Sequence, residues 1–108
     1  MVNLIKLFEL QVMTKALTGI TGKSYTLNLR QDESDKWFIE LIADLGEPES
    51  SSIQTFILQQ SKSNKPKTFR LLEDCMRFAL DNCSNLGGLG ELNLHINGMR
   101  FSLKKDDS

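Results

Sequence analysis

The feature that most limits how this chain can fold is a set of segments in which apolar and polar residues alternate. These segments come before and after a single amphipathic segment in the sequence. Apolar residues recur with a period close to two in 24–30, 37–45, 53–60, 91–97 and 99–103, as in strands with one buried face. Between the third and fourth of these segments the period becomes helical. The pattern predicts an α+β fold with a mainly antiparallel sheet of four or five strands, in the order α-β-β-β-α-β-β.

Two segments are predicted to be helices. The apolar residues are dense from Leu4 to Leu17, and this run stops at a glycine-containing segment. The second helix is predicted from Phe69 to Cys83, with Thr68 as its N-cap, because its apolar residues form one stripe. The polar residues of the first helix do not gather on one side. We therefore expect the second helix on one face of the sheet, and the first on the other face or in a dimer contact.

Length and turn residues predict how these elements are organised. With 108 residues, the chain is expected to form a single domain over residues 1–108, with a basic loop at 61–67 and a flexible tail at 104–108. Asn97 and Gly98 are typical of a tight hairpin turn between two strands. The glycines after the second helix are interpreted as a cap and turn, because phosphate-binding loops precede helices.

The predicted sheet carries apolar residues on both faces. Phe38 and Ile42 alternate out of phase with Trp37, which is predicted to lie in the core, and Phe56 and Leu58 are interpreted as repeating that pattern in the third strand. An antiparallel sheet with one solvated face should alternate more strictly. We therefore expect the face that carries Phe38, Ile42, Phe56 and Leu58 to be covered, either by the first helix or at an interface with a partner protein or a second copy of the chain.

Candidate catalytic and metal-binding residues are few. His95 is the only histidine, and no nucleophile or carboxylate accompanies it at a spacing typical of a catalytic motif. Cys75 and Cys83 would be separated by about 12 Å of helical rise, too far for a disulfide, and are predicted to be buried thiols. We predict that the protein is not an enzyme and that it uses no metal or cofactor.

One basic segment is not explained by packing. Lys62, Lys65, Lys67 and Arg70 occur with no acidic residue between Ser61 and Leu72, immediately before the predicted second helix. The formal charge of the whole chain is only −1, so any attraction for nucleic acid would have to be local. These four cations are a candidate site for phosphate or for an acidic protein surface. The alternative is an exposed loop whose charges only keep the surface soluble.

The sequence also bears on location. Lys6, Glu9 and Lys15 interrupt the apolar runs near the N-terminus before they reach the length of a membrane span. We expect no membrane association and a cytoplasmic location, since no export signal is recognised.

Two resemblances to known families add expectations. The order helix, three strands, basic loop and helix resembles the double-stranded-RNA-binding domain, whose phosphate-binding lysines would correspond to Lys62, Lys65 and Lys67. The acidic loop Gln31 to Asp35 departs from that family, because it would repel RNA. The segment from Lys65 to Phe78 resembles small plasmid-encoded partition or stability accessory proteins, which implies a mobile genetic element and no catalytic activity.

The leading hypothesis from the sequence is a non-catalytic accessory module that binds a partner protein or associates with itself. The alternative is a nucleic-acid-binding protein that uses the basic loop and the start of the second helix. Both hypotheses assign function to surfaces rather than to a convergent catalytic centre.

Overall fold

The computed structural model describes residues 3–47 and 49–103, which form one sheet and two helices. The described elements are β1 (Asn3–Ile5), α1 (Leu7–Gly19), β2 (Tyr25–Gln31), β3 (Trp37–Asp44), β4 (Ile53–Leu58), α2 (Leu72–Asn82), β5 (Gly90–Ile96) and β6 (Met99–Leu103). In space the strands lie in the order β1-β4-β3-β2-β5-β6. The predicted α+β class is confirmed.

The sheet is mixed rather than purely antiparallel. β1 pairs with β4 and β2 with β5 in parallel, whereas β2–β3, β3–β4 and β5–β6 are antiparallel pairs. Six strands are present among the described residues, and the sequence pattern does not predict β1. The reason is that the apolar residues Leu4 and Ile5 continue directly into those of α1, and only the extended backbone of Lys6 (φ −75°, ψ 156°) separates strand from helix.

Both helices lie on the same face of the sheet, so the expected placement of α1 on the opposite face is wrong. The buried residues of α1 and α2 share one core with the alternating apolar residues of β2 and β3. The Thr14 hydroxyl in α1 accepts a hydrogen bond from the Ser84 backbone N–H just after α2, at 3.1 Å. The Gln11 amide donates to Asn82 at 2.8 Å and joins the two helices again.

The exposed side of α1 explains its unclear apolar pattern. Leu10, Thr14 and Leu17 face the core, while Phe8 and Val12 lie on the outer side and are 72% and 49% exposed. A helix with apolar residues on two sides gives no single stripe in the sequence.

The second helix begins at Leu72, later than predicted, and its N-cap is Leu71 rather than Thr68. The backbone of Phe69 instead exchanges two hydrogen bonds with Trp37, of 2.7 and 2.8 Å, at the start of β3. The Lys67 N–H donates to the Leu58 carbonyl at 2.8 Å. The segment before α2 therefore extends the sheet, which satisfies backbone groups that a longer helix would leave beside the strand ends.

Several predicted core and turn positions are confirmed. Trp37 is 7% exposed, and Cys75 and Cys83 are buried free thiols. Asn97 and Gly98 form the tight β5–β6 turn. Their φ values of 51° and 80° are both positive, as a type I′ hairpin turn requires. The predicted tail at 104–108 lies outside the described residues.

Gly90 allows a close contact that a larger residue would break. A Cβ at this position would overlap the ring of Tyr25, whose hydroxyl donates to the Ser84 carbonyl at 2.7 Å and so cannot move freely. We expect Gly90→Ala to lower the free energy of unfolding by about 1–3 kcal/mol, measured by urea denaturation.

Gly19→Ala is the matched control for this substitution. Apart from its chain neighbours and the backbone of its own helix, no atom lies within 4 Å of the Cβ it would add at the end of α1, so it should leave stability unchanged or raise it by up to about 1 kcal/mol. Equal losses from both substitutions would contradict the proposed packing of Gly90 on Tyr25.

Candidate functional site

The sheet has one face that neither helix covers, called here the open face. Its side chains alternate with the core residues along each strand, so the register of the ladders defines which of them are neighbours. On the β1-β4-β3 side of the open face the residues are mostly apolar. This apolar strip consists of Leu4, Phe38, Ile42, Ile53 and Ile57. Ile53 is 70% exposed, and the other four are partly exposed.

On the β3-β2-β5-β6 side, the open face carries a chain of hydrogen-bonded polar side chains, called here the amide row. Asn28 Nδ2 donates to Glu40 Oε1 at 2.9 Å, and Asn93 Nδ2 donates to Asn28 Oδ1 at 3.4 Å. The Ser102 hydroxyl donates to Asn93 Oδ1 at 2.9 Å. The amide row thus crosses four strands, and it lets Asn28 and Asn93 be almost fully buried without an unsatisfied polar atom.

The Glu40 carboxylate fixes the direction of these hydrogen bonds. An ionised carboxylate can only accept, so the Asn28 amide must turn its NH₂ group to Glu40 and its oxygen towards β5. The Asn28 oxygen then accepts from Asn93 and from His95 Nε2, which lies 2.9 Å away. His95 Nε2 therefore carries a hydrogen, and in the neutral imidazole Nδ1 is the unprotonated nitrogen.

A second row of the open face, the cation row, consists of Arg30, His95 and Arg100. Arg100 pairs with His95 across β5–β6. Leu29 pairs with Leu94 in the parallel pair β2–β5, so the residues that follow them, Arg30 and His95, are level in the sheet. Arg30 Nε forms an ion pair with Glu40 Oε1 at 3.0 Å. Partial burial, with the charges of Arg30 and Arg100, lowers the pKa of His95 below its ordinary value, while Glu40 acts in the opposite direction.

The hydrogen bonds of His95 and Ser102 define which chemical groups these two side chains contact. Within residues 3–47 and 49–103, His95 forms a side-chain hydrogen bond with Asn28 and none with a hydroxyl or thiol. The nearest candidate nucleophile in the amide row, Ser102, donates its hydrogen to Asn93 instead. A general base must reach the proton it removes, and here no such pair is formed.

A separate cleft lies at the end of β4, beside the start of α1 and the middle of α2. It has a volume of about 710 Å³, and three lysines, Lys6, Lys62 and Lys67, line it. Its other lining residues are neutral and include Phe78. This basic cleft contains no carboxylate among its lining residues.

The structure separates the four cations that the sequence groups together. Lys62 and Lys67 line the basic cleft, but Lys65 lies on the other side of the loop, in a smaller depression with Phe38 and Ile57 of the apolar strip. Arg70 is exposed and lines neither cavity. The lysine that the sequence does not reveal is Lys6, because it is distant along the chain and reaches the cleft only through the pairing of β1 with β4.

The four predicted interface residues do not share one face. Phe38 and Ile42 lie on the open face, but Phe56 pairs with the core residue Leu41 and points to the helices, as does the buried Leu58. The phase of β4 is the reverse of the predicted one, because its open-face residues are Ile53 and Ile57. The grouping of Phe56 and Leu58 with Phe38 and Ile42 is therefore wrong.

The two thiols lie away from both surfaces. Burial raises the pKa of Cys75 and of Cys83 to about 12, so the reactive thiolate is almost absent at neutral pH. In the part of the chain that the structure describes, no three histidine, cysteine, aspartate or glutamate side chains gather as a metal site would require.

Comparison with protein-family models, with curated proteins and with solved structures gives no match for this chain. The resemblances based on element order and on the Lys65–Phe78 segment therefore stay predictions. In the described ranges, no helix is long and apolar enough to cross a bilayer.

His95 allows a direct test of the cation row, because a single histidine gives one set of imidazole NMR signals. We expect its titration midpoint to lie below 6.5. Arg100→Gln should raise the midpoint, since a nearby positive charge is removed, and Glu40→Gln should lower it further. Shifts of the same sign in both variants would contradict the arrangement of charges described here.

Proposed function

We propose that the protein is a non-catalytic interaction module that self-associates, with the open face of one copy packed on the open face of a second copy. The observation that supports this proposal best is the division of the open face into an apolar strip and a row of oriented polar groups. Both helices lie on the other face of the sheet, so the described chain supplies no cover for Ile53, which is 70% exposed. Apolar groups gathered on an exposed face favour association.

A two-fold rotation brings one acidic side chain of the open face close to two arginines of the second copy. We place the two-fold axis between the open faces of the two copies and perpendicular to their strands. Each strand then packs over the same strand of the other copy, running in the opposite direction, as in an aligned sandwich. Apolar strip then meets apolar strip. One row beyond the amide row lies Glu91, two residues before Asn93 on β5, so that Glu91 of one copy faces His95 of the other between Arg30 and Arg100.

The amide row lies at the centre of this arrangement. Rotation about the axis relates the row to itself, so the neutral Asn28 and Asn93 side chains meet their own copies. Glu40 also meets its copy, but its charge is balanced by Arg30 of the same chain at 3.0 Å. The repulsion between the two carboxylates is thereby reduced, although it adds no attraction.

The size of the open face suits a weak dimer. Five strand spacings of about 4.8 Å and about six residues of 3.3 Å each give a face of roughly 24 by 20 Å, on the order of 500 Å². Stable specific interfaces bury about 800 Å² of each partner. We therefore expect dissociation in the micromolar range rather than an obligate dimer.

Substitution of Ile57 tests this proposal. Ile57 is level with Glu40 in the sheet and so lies near the proposed axis, where two copies of the residue meet. Ile57→Lys should convert the concentration-dependent dimer into a monomer, measured by sedimentation equilibrium, because two ammonium groups would be buried together. Val12→Lys, on the exposed side of α1, is the control and should dimerise like the unchanged protein.

Cross-linking gives a second measure of the same geometry. Ile57→Cys should be linked to its copy by a short bismaleimide, whereas Val12→Cys should not, and the buried Cys75 and Cys83 should not react. A protein that remains monomeric at high concentration, or cross-linking of both variants alike, would refute association through the open face.

A further inference from the structure

We propose that the basic cleft binds the phosphate group of a nucleotide, either free or within a single strand of nucleic acid. This site differs in position from the open face and does not depend on self-association. Lys6, Lys62 and Lys67 line the cleft, and the other lining side chains are uncharged. Three positive charges in one cleft make a local anion site although the whole chain carries a formal charge of −1.

The lysines are available to a ligand. Among the described residues the one ion pair joins Arg30 and Glu40 on the open face, so no described carboxylate lies within 4.0 Å of a cleft lysine. The nearest acid in sequence, Glu9, accepts a hydrogen bond from the Lys6 backbone N–H at 3.1 Å, which leaves the Lys6 ammonium to other partners. Unpaired ammonium groups favour a doubly charged ligand such as a phosphate monoester.

Lys67 is held in position by two aromatic rings. Its Nζ lies 5.2 Å from the ring centre of Phe69 and 5.3 Å from that of Phe78, and the two rings pack against each other. Such cation–π contacts hold the ammonium near the cleft without neutralising its charge. A group that is ordered before binding loses less entropy when the anion arrives.

The loop that carries Lys62 is also ordered by its own backbone. The Gln60 N–H donates to the Lys65 carbonyl at 2.8 Å, and the Ser63 N–H donates to the Gln60 carbonyl at 3.2 Å. Lys62 itself has a φ of 60°, a left-handed conformation that few residues other than glycine adopt. The turn therefore fixes where the Lys62 side chain leaves the backbone.

The size and lining of the cleft fit one nucleotide better than a duplex. Its volume of about 710 Å³ lies within the range of sites for small organic ligands. Neutral hydrogen-bonding side chains, among them Gln60 and Asn64, lie beside the lysines, and Phe78 supplies an apolar surface. A phosphate among the lysines would place the sugar and base against these groups.

The test uses the whole chain and two probes. A fluorescein-labelled single-stranded oligothymidylate is followed by anisotropy, and thymidine monophosphate is followed by NMR shifts of the amides of 59–64. We expect binding of the oligonucleotide to weaken with salt, with a slope of log K against log salt of about −2 for three phosphate contacts. Shifts with the monophosphate would indicate a site for free nucleotide, and binding of the strand alone a site for nucleic acid.

The decisive variant replaces Lys6, Lys62 and Lys67 with glutamine. It should weaken binding more than about tenfold at low salt. The matched control replaces Lys15, Lys36 and Lys65 with glutamine. This changes the net charge by the same amount but leaves the lysines of the cleft in place. Thermal unfolding of both variants shows whether a loss of binding is due to misfolding. If the triple variant misfolds, the double variant Lys6→Gln/Lys62→Gln replaces it, because it keeps the contact of Lys67 with the aromatic rings.

Two results would overturn this proposal. One is equal weakening by the cleft variant and the control variant, which would mean that only net charge matters. The other is absence of binding by either probe at low salt. Because the proposed dimer is tested by Ile57→Lys, which leaves the cleft residues in place, either proposal can fail while the other holds.

Discussion

Burial of only one face of the sheet is the constraint on which the rest of this structure depends. Both helices pack on the side of Leu27, Leu29, Ile39 and Leu41, all at most 1% exposed, and tie themselves together through Thr14. The opposite face must then satisfy its own polar groups without a helix packed on it. The amide row does so, because each amide both donates to one neighbour and accepts from another. The Glu40 carboxylate, at one end of the amide row, makes its hydrogen bonds run in a single direction.

The elements that local patterns predict well are those whose pairing is also local. The β5–β6 hairpin follows from Asn97 and Gly98, since the positive φ values of a tight turn suit these residues. The phases of β2 and β3 follow from their core residues, which occupy every second position from Tyr25 to Leu29 and from Trp37 to Ala43. β1 escapes prediction because it has three residues and a parallel partner, β4, about fifty residues away. The start of α2 escapes because the Phe69 backbone pairs with Trp37, and this tertiary contact overrides a helical pattern.

The candidate sites are harder to predict from the sequence than the fold, because their side chains are brought together by pairing between distant strands. Asn28, Asn93 and His95 are neighbours only because β2 and β5 pair in parallel in one register, and a shift by one residue would place them on opposite faces. No local spacing contains that information. Similarly, Lys6 joins Lys62 and Lys67 through the β1–β4 pairing, whereas Lys65, adjacent to them in sequence, faces the other way. Charge runs reveal a basic segment but not which of its side chains converge.

The loop at 61–67 connects the two candidate surfaces. Lys62 and Lys67 line the basic cleft, while Lys65 lies beside Phe38 and Ile57 at the border of the open face. The Gln60 N–H bond to the Lys65 carbonyl and the Lys67 N–H bond to the Leu58 carbonyl hold this loop against the end of β4. Displacement of the loop, which would break these bonds, is therefore one way in which an occupant of one surface could affect the other. Since the unperturbed loop already presents its lysines to both sides, the simplest expectation is that the two surfaces act independently.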